Sequence, residues 1–476
     1  MEEEAENNLL HLDISEGPQH VFNQIRAADA ISKVHNICLS RNFPSPRRGI
    51  LSSDDVLEVL ENIVDLPSLS FLKISFAGGT FPMHLLLKAL VGSRDRIGRS
   101  STLRNLFLHG VKLAYSETVA AAGTLKKNGE SISLSSISVE NCNSESLPVR
   151  FSNGRENPLD ILLSAFTQQL QCLDKLSLRS FHNVSLRDFS QFPWLRELSL
   201  SRIKISETSL RNICLSPCLR SLELDTLLSP PPARQSQILA GALVATSESN
   251  NNPYTTNLHT LRLTIFLSGC MSSDEIEAYR SFWRSMETNT TLKNFCFVTT
   301  GKILHDNAHV VFGGPIAEAL EANQTLQQLA IHAHIFASEP KQEKNLEQSL
   351  TLLAQSLRNN ETLYQLSLHV TGGLRGFSED SIRTLMTGPF ASVLKTGEQF
   401  TLRNLLLQYR QQPQSLCDHS KFQLDLNRAS RHKLLSGNPT LRDWVEMLVV
   451  HREQTSIVFY FLSRYPSICQ RFRNLQ

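Results

Sequence analysis

Several features that would fix a function outright are missing from this chain. No apolar run approaches the roughly 18 residues of a membrane span. The start, Met1-Glu-Glu-Glu-Ala-Glu, is acidic where a secretory leader needs basic residues and then an apolar core. The expectation is a cytoplasmic protein, with a nuclear location also open, that inserts into no membrane. Neither sign of charge is in excess: 47 Lys and Arg against 45 Asp and Glu leave +2, too weak a field to draw in nucleic acid. The nine cysteines are an odd number scattered singly from Cys38 to Cys469. They lack the density of a secreted disulfide framework and read as reduced thiols.

Chemistry-bearing motifs are equally sparse. A phosphate-binding G-x-x-x-x-G-K-[ST] loop is absent, since Gly301-Lys302 runs on to Ile303 without the first glycine. His305 and His309 stand four apart, but Asp306 holds the place where a zinc protease has glutamate. His332 and His334 would share one face of a strand without further ligands, and Cys214 and Cys218 lack a second pair. No Ser, Cys or Asp has an assignable base. The reading is a protein that is not an enzyme and holds neither metal nor cofactor.

What the chain does contain is repetition. Gly314-Pro-Ile-Ala-Glu-Ala-Leu-Glu-Ala-Asn-Gln-Thr-Leu-Gln-Gln-Leu-Ala-Ile331 reads as a helix, a turn and a strand. Ile316 and Leu320 lie on one helical face, Asn323 ends the helix, and Leu326, Leu329 and Ile331 space a short buried strand as L-x-x-L-x-L. Phe282, Met286, Asn289, Leu292, Phe295 and Phe297 keep the same offsets, as do Leu353, Leu357, Asn360, Leu363, Leu366 and Leu368. The turn asparagines are expected in the left-handed conformation that Asn tolerates. They also begin N-x-T sequons, as Asn183 begins N-x-S, but the repeat itself explains the last three, so glycosylation is not expected.

The strand pattern recurs with first apolar positions at Val34, Leu69, Leu103, Leu134, Leu173, Leu195, Leu219, Leu258, Leu292, Leu326, Leu363 and Leu402. Helical spacing falls between them, as in Asp54 to Val64, Glu117 to Lys127, Leu159 to Leu170, Gln237 to Val244 and Ser381 to Leu394. The steps of 22 and 24 residues on either side of Leu195 leave room only for a short helix or 3₁₀ turn. Such a repeat array escapes the usual count of about 150 residues per domain, because each unit buries its apolar face against its neighbours.

This pattern resembles the leucine-rich-repeat family, most nearly its ribonuclease-inhibitor-like branch with convex α-helices. The resemblance implies an α/β, right-handed solenoid or horseshoe with a parallel sheet on its concave side. The expected organisation is an acidic N-terminal segment or cap over 1–30, about twelve irregular repeats over 31–410 and a helical C-terminal cap over 421–476. The family places Asn or Cys three residues past the last strand apolar; only Asn42 and Cys142 comply, and residues such as Val111, Ile203 and Leu227 stand there instead. The tail, with Leu426-Asn-Arg428, Trp444-Val445 and Pro466 to Cys469, is similar to that of leucine-rich-repeat proteins of diatoms. Trp444, Val445, Met447, Leu448, Phe459 and Phe461 are expected to form an apolar lid over the last repeat.

With catalysis set aside, function falls to the concave face, whose residues lie on either side of the strand apolars. Charge concentrates at its middle, in Lys175, Arg179, Glu197, Glu223, Asp225 and Arg262. Asn105, Phe107 and His109 flank them on one side and Gln328, His332, Gln365 and His369 on the other. Lys175 is expected beside Glu197, and Glu223 beside Arg262. The expectation is a non-catalytic scaffold that binds a protein partner there. The alternative is a regulatory adaptor, either a GTPase activator, which would need an exposed catalytic arginine, or a ubiquitin-ligase substrate receptor. Arg94, Arg96 and Arg99 lie together in Ser93 to Ser101, a segment that reads equally as a solvated basic loop and is assigned no role.

Overall fold

The computed structural model describes residues 9–13, 18–29, 35–41, 53–76, 81–97, 101–144, 158–180, 185–186, 194–244, 257–266, 271–301, 303–304, 313–336, 340–372, 378–396, 401–429, 431, 434 and 439–465. They form two compact units, the first Met1–Ile238 with Asn251–Leu258, the second Leu239–Asn250 with His259–Gln476. Each is an α/β repeat solenoid of parallel strands alternating with helices. Among the described residues no helix is long and apolar enough to cross a membrane.

In the first unit the strands β1 (Leu9–Asp13), β2 (Asn36–Arg41), β3 (Phe71–Phe76), β4 (Asn105–His109), β5 (Ser136–Glu140), β6 (Lys175–Arg179), β7 (Glu197–Ser201) and β8 (Ser221–Asp225) lie side by side in chain order. Every neighbouring pair is parallel. Between them run α1 (Pro18–Asp29), α2 (Ser53–Val64), α3 (Met83–Ile97), α4 (Tyr115–Asn128), α5 (Pro158–Gln169), α6 (Glu207–Cys214) and α7 (Pro232–Val244), in the last of which the two units divide. Alternate strand positions such as Leu72, Ile74 and Phe76 are buried, as one face of a pleated strand requires, and so are the helix residues Val59, Leu60 and Ile63. The segment expected as an N-terminal cap carries a strand and a helix of its own, and β1 pairs in full register with β2. The shortened repeat that follows Leu195 carries a short helix, the eight residues of α6, started by Ser206, whose hydroxyl accepts from the Ser209 N–H.

The second unit holds β9 (Thr260–Phe266), β10 (Asn294–Thr300), β11 (Gln328–Phe336), β12 (Gln365–Thr371) and β13 (Asn404–Tyr409), again parallel. A two-residue strand, Gln412-Pro413, turns back antiparallel on β13. Helices α8 (Ser273–Glu287), α9 (Gly314–Ala322), α10 (Pro340–Ser356), α11 (Glu379–Thr396) and α12 (Asp418–Arg428) pack each on the next. Ser272 and Glu275 close a capping box on α8. Behind it Phe282, Trp283, Phe295 and Phe297 meet at ring separations of 5.4 to 6.1 Å.

The repeat asparagines correct one expectation. Asn323 has φ −75° and ψ 127°, an extended rather than left-handed residue. Its side chain does the work: Oδ1 accepts from the N–H groups of Thr325 and Leu326 at 2.9 and 2.7 Å, while Nδ2 donates to the Met286 and Asn289 carbonyls of the repeat before. Asn360 repeats this on Leu320 and Asn323, and Asn289 donates to Leu243. Thr325 adds a bond from its hydroxyl to the Asn289 carbonyl at 2.8 Å, so both ends of that sequon are used by the ladder. All three asparagines are buried, at 2, 2 and 3% exposure, with no room for a glycan.

Among the described residues, the left-handed ones lie instead just past the strands: Gly110, Asn141, Ser180, Arg202, Thr226, Gly301, Gly372, Arg410 and Gln411. In the first unit their N–H groups form a second ladder, Gly110 to the Glu140 carbonyl, Asn141 to Arg179, Ser180 to Ser201 and Arg202 to Asp225, at 2.9–3.1 Å. This backbone ladder makes the polar side chain expected beyond each strand dispensable, so Val111, Ile203 and Leu227 are buried there. Cys142 does play the expected part, its Sγ donating to the Leu108 carbonyl at 3.7 Å. Asn42 lies outside the described residues.

The tail also departs from expectation. The lid on the last repeat is α12, whose Asn427 donates to the Leu402 carbonyl at 2.7 Å. Beyond it α13 (Leu441–Val450) and α14 (Thr455–Arg464) enclose a small core with Leu426, Ala429, Leu434, Trp444, Met447, Ile457 and Phe461. Val445 and Phe459 are turned outward, 40 and 73% exposed, because each of these helices covers that core with one face only.

Candidate functional site

The open face of each sheet, away from the helices, carries the strand residues that packing leaves free. In the first unit these fall into rows because neighbouring strands keep one register. One row runs Lys73, Phe107, Ser138, Ser177, Ser199 and Glu223, and the next Ser75, His109, Glu140, Arg179, Ser201 and Asp225. Five of the six residues expected at the site, Lys175, Arg179, Glu197, Glu223 and Asp225, therefore meet on β6, β7 and β8. Arg262 lies on β9 of the second unit.

Between these charged groups the floor is made of serines. Ser177, Ser199 and Ser201 belong to the open face yet are only 6, 8 and 7% exposed, because the longer side chains around them overhang. Two hold the carboxylates of the next strand in place: Ser199 Oγ donates to Glu223 Oε2 at 2.9 Å and Ser201 Oγ to Asp225 Oδ2 at 2.7 Å. The Thr226 hydroxyl donates to Asp225 Oδ1 at 3.1 Å. Lys175 and Glu197 form the expected cross-strand pair at 3.5 Å. Both are about half exposed, so the pair contributes under ~1 kcal/mol.

Along the same face, Lys73 Nζ sits 5.3 Å over the Phe107 ring, Phe107 stacks on His109 at 6.2 Å, and His109 Nδ1 lies 3.8 Å from Glu140. Glu140 and the serine floor are the site residues that sequence reasoning passed over. The strand spacing already placed them on the open face, but they carry no signal of their own until the register sets them beside the charges.

In the second unit, His332 and His369 stand opposite each other on β11 and β12, rings parallel within 5° and 4.1 Å apart. Burial first, then His369 and Arg262, push the His332 imidazole down to about 4, and burial lowers His369 too. His334 Nδ1 bonds the Thr371 hydroxyl at 3.0 Å, and Gln328 Nε2 the Tyr364 hydroxyl at 2.5 Å. No cluster of three His, Cys, Asp or Glu suited to a metal occurs among the described residues. His305 and His309 lie outside them, as does Arg99; Arg94 and Arg96 fall at the end of α3.

The helical side of the second unit has a cavity of about 530 Å³ lined by Arg280, Arg284, Pro315, Glu318, Asn345 and Gln348 among others. Both arginines are tied to Glu277, at 3.8 and 3.2 Å, and Glu318 adds an acid of its own. Its charges are matched internally.

No protein-family model and no curated protein matches the sequence. Among solved structures the chain is similar to Leiomodin-1 Actin-Binding Site 2 at 20% identity and a TM-score of 0.27, over 43% of this chain and 94% of that one.

Proposed function

We propose that the chain is a non-catalytic scaffold that binds a protein partner on the open face of its first unit, across β6, β7 and β8. The carrying observation is the serine floor: three open-face positions as buried as core residues, framed by Lys175, Arg179, Glu140, Glu197, Glu223 and Asp225. Side chains so placed have no packing duty, and exposed pairs of this kind add little to stability, which leaves recognition as their physical use. The carboxylates are pre-set by serine and threonine hydroxyls, so a partner that binds them meets little ordering cost.

The test fills the floor. A partner captured from native lysate, identified, purified and titrated against the full chain should bind Ser177→Trp at least tenfold more weakly, with the thermal unfolding midpoint kept. Glu277→Lys, on the helical side of the second unit, should bind as wild type. Equal affinity for Ser177→Trp and wild type would move the binding surface off this face.

A further inference from the structure

The charged frame is not evenly satisfied. Lys175 has Glu197, Glu223 has Ser199, and Asp225 has Ser201 and Thr226. The half-buried Arg179 guanidinium makes no hydrogen bond or ion pair among the described residues, although Glu140 and Ser201 stand beside it in register. Five N–H donors held half out of water on a face otherwise paired are suited to an acceptor from outside, and the planar fork of arginine fits a carboxylate best.

The surroundings set what accompanies that carboxylate. Two strands away in the same row stands Asp225, oriented by two hydroxyls, and between them lies only the short, buried Ser201. Strands about 4.8 Å apart separate Arg179 from Asp225 by roughly 10 Å. A polyproline II segment advances about 3.1 Å per residue with three residues per turn, which sets positions i and i+3 on one side about 9 Å apart. An ordinary extended strand puts i and i+3 on opposite sides and does not fit.

Resting on the protein-binding reading above, we infer that this face recognises an extended, polyproline II-like peptide segment of its partner by a charge doublet. An Asp or Glu pairs with Arg179, and a Lys or Arg three residues away pairs with Asp225 across Ser201. The floor of Ser177 and Ser199 accommodates the segment's backbone, and the doublet fixes its register.

Linear dodecapeptides displayed on phage and selected on the full chain test this without knowledge of the partner. The selected sequences should be enriched in an acid three residues from a base. The best of them, made synthetically with a fluorescein label, should bind Arg179→Gln and Asp225→Asn at least tenfold more weakly than wild type. Replacing the peptide's acid by its amide should cost affinity on wild type and nothing further on Arg179→Gln. Failure to enrich any peptide, enrichment without the doublet, a spacing of seven residues (which marks a helix) or undiminished binding by Arg179→Gln would each overturn the inference. If Ser177→Trp abolishes binding while Arg179→Gln does not, the doublet falls and the open face stands. If Ser177→Trp has no effect either, the protein-binding reading of this face falls with it.

Discussion

Asn323 spends every hydrogen-bonding group of its amide inside the fold, on two N–H groups of its own turn and two carbonyls of the repeat before it. Alanine there would strand buried donors and acceptors, so Asn323→Ala is expected to lower unfolding stability by about 2–4 kcal/mol in urea titrations. Gly372 is bound differently: with φ +114°, a Cβ would run into the Ile335 carbonyl oxygen. Gly372→Ala is expected to cost about 2 kcal/mol or more by the same measurement. Cysteines divide by surroundings. Burial pushes the Cys142 and Cys214 thiols up to about 12, whereas exposed Cys417 is held below its ordinary value, chiefly by the Ser420 hydroxyl. Iodoacetamide at neutral pH should therefore modify Cys417 well before Cys142 or Cys214, as read by peptide mass mapping of the folded chain.

At the scale of elements, the paired strands β11 and β12 carry a pH dependence. The fold keeps His332 neutral down to about 4, while the unfolded chain takes up its proton near 6.5. Between those values the unfolded state binds more protons, so stability falls as pH drops through this window, by no more than about 3 kcal/mol. The loss should shrink in His332→Gln, measured as the unfolding midpoint at pH 7.5 and 4.5. The C-terminal elements make a second case. Deleting residues 421–476 removes most of α12 together with Leu424, Leu426 and the Asn427 bond to Leu402. The truncated chain is expected to aggregate, as seen by light scattering at a concentration where the full chain is monodisperse.

These same elements show what the sequence makes legible. All twelve repeat strands expected from apolar spacing are present, each beginning two residues after the first apolar position, from Asn36 after Val34 to Asn404 after Leu402. The regularity is physical: that first apolar residue turns into the core ahead of the strand, as buried Leu69, Leu103 and Leu326 do. The twelve leave out β1, because Leu9, Leu10 and Leu12 lack an apolar residue at the matching place before the strand. Nor do the left-handed turns at Ser180, Arg202 and Thr226 announce themselves, since none is a glycine; the backbone ladder holds the first two, and the Thr226 hydroxyl bonds Asp225. For the site, spacing identified which residues face outward; only the register sets Glu140 beside Arg179 and puts Ser201 between Arg179 and Asp225.

For the molecule as a whole, the asparagine ladder has a consequence in the currency of insertions and deletions. Each of these asparagines grips the repeat before it and offers its own carbonyl to the one after, as Asn323 does between Asn289 and Asn360. The arrangement is self-similar, and one copy can stand where another stood. Excising residues 289–322 sets Asn323 in the place of Asn289, against the Leu243 carbonyl, with β11 brought next to β9. That shortened chain is expected to stay soluble and unfold cooperatively by circular dichroism, although it lacks a strand and a helix. Removing only 289–304, which takes β10 and leaves α9 without it, should produce an insoluble chain despite the smaller loss. Length in such a molecule is quantised: the reading frame tolerates change in steps of one repeat, and a fraction of a repeat is a heavier mutation than a whole one.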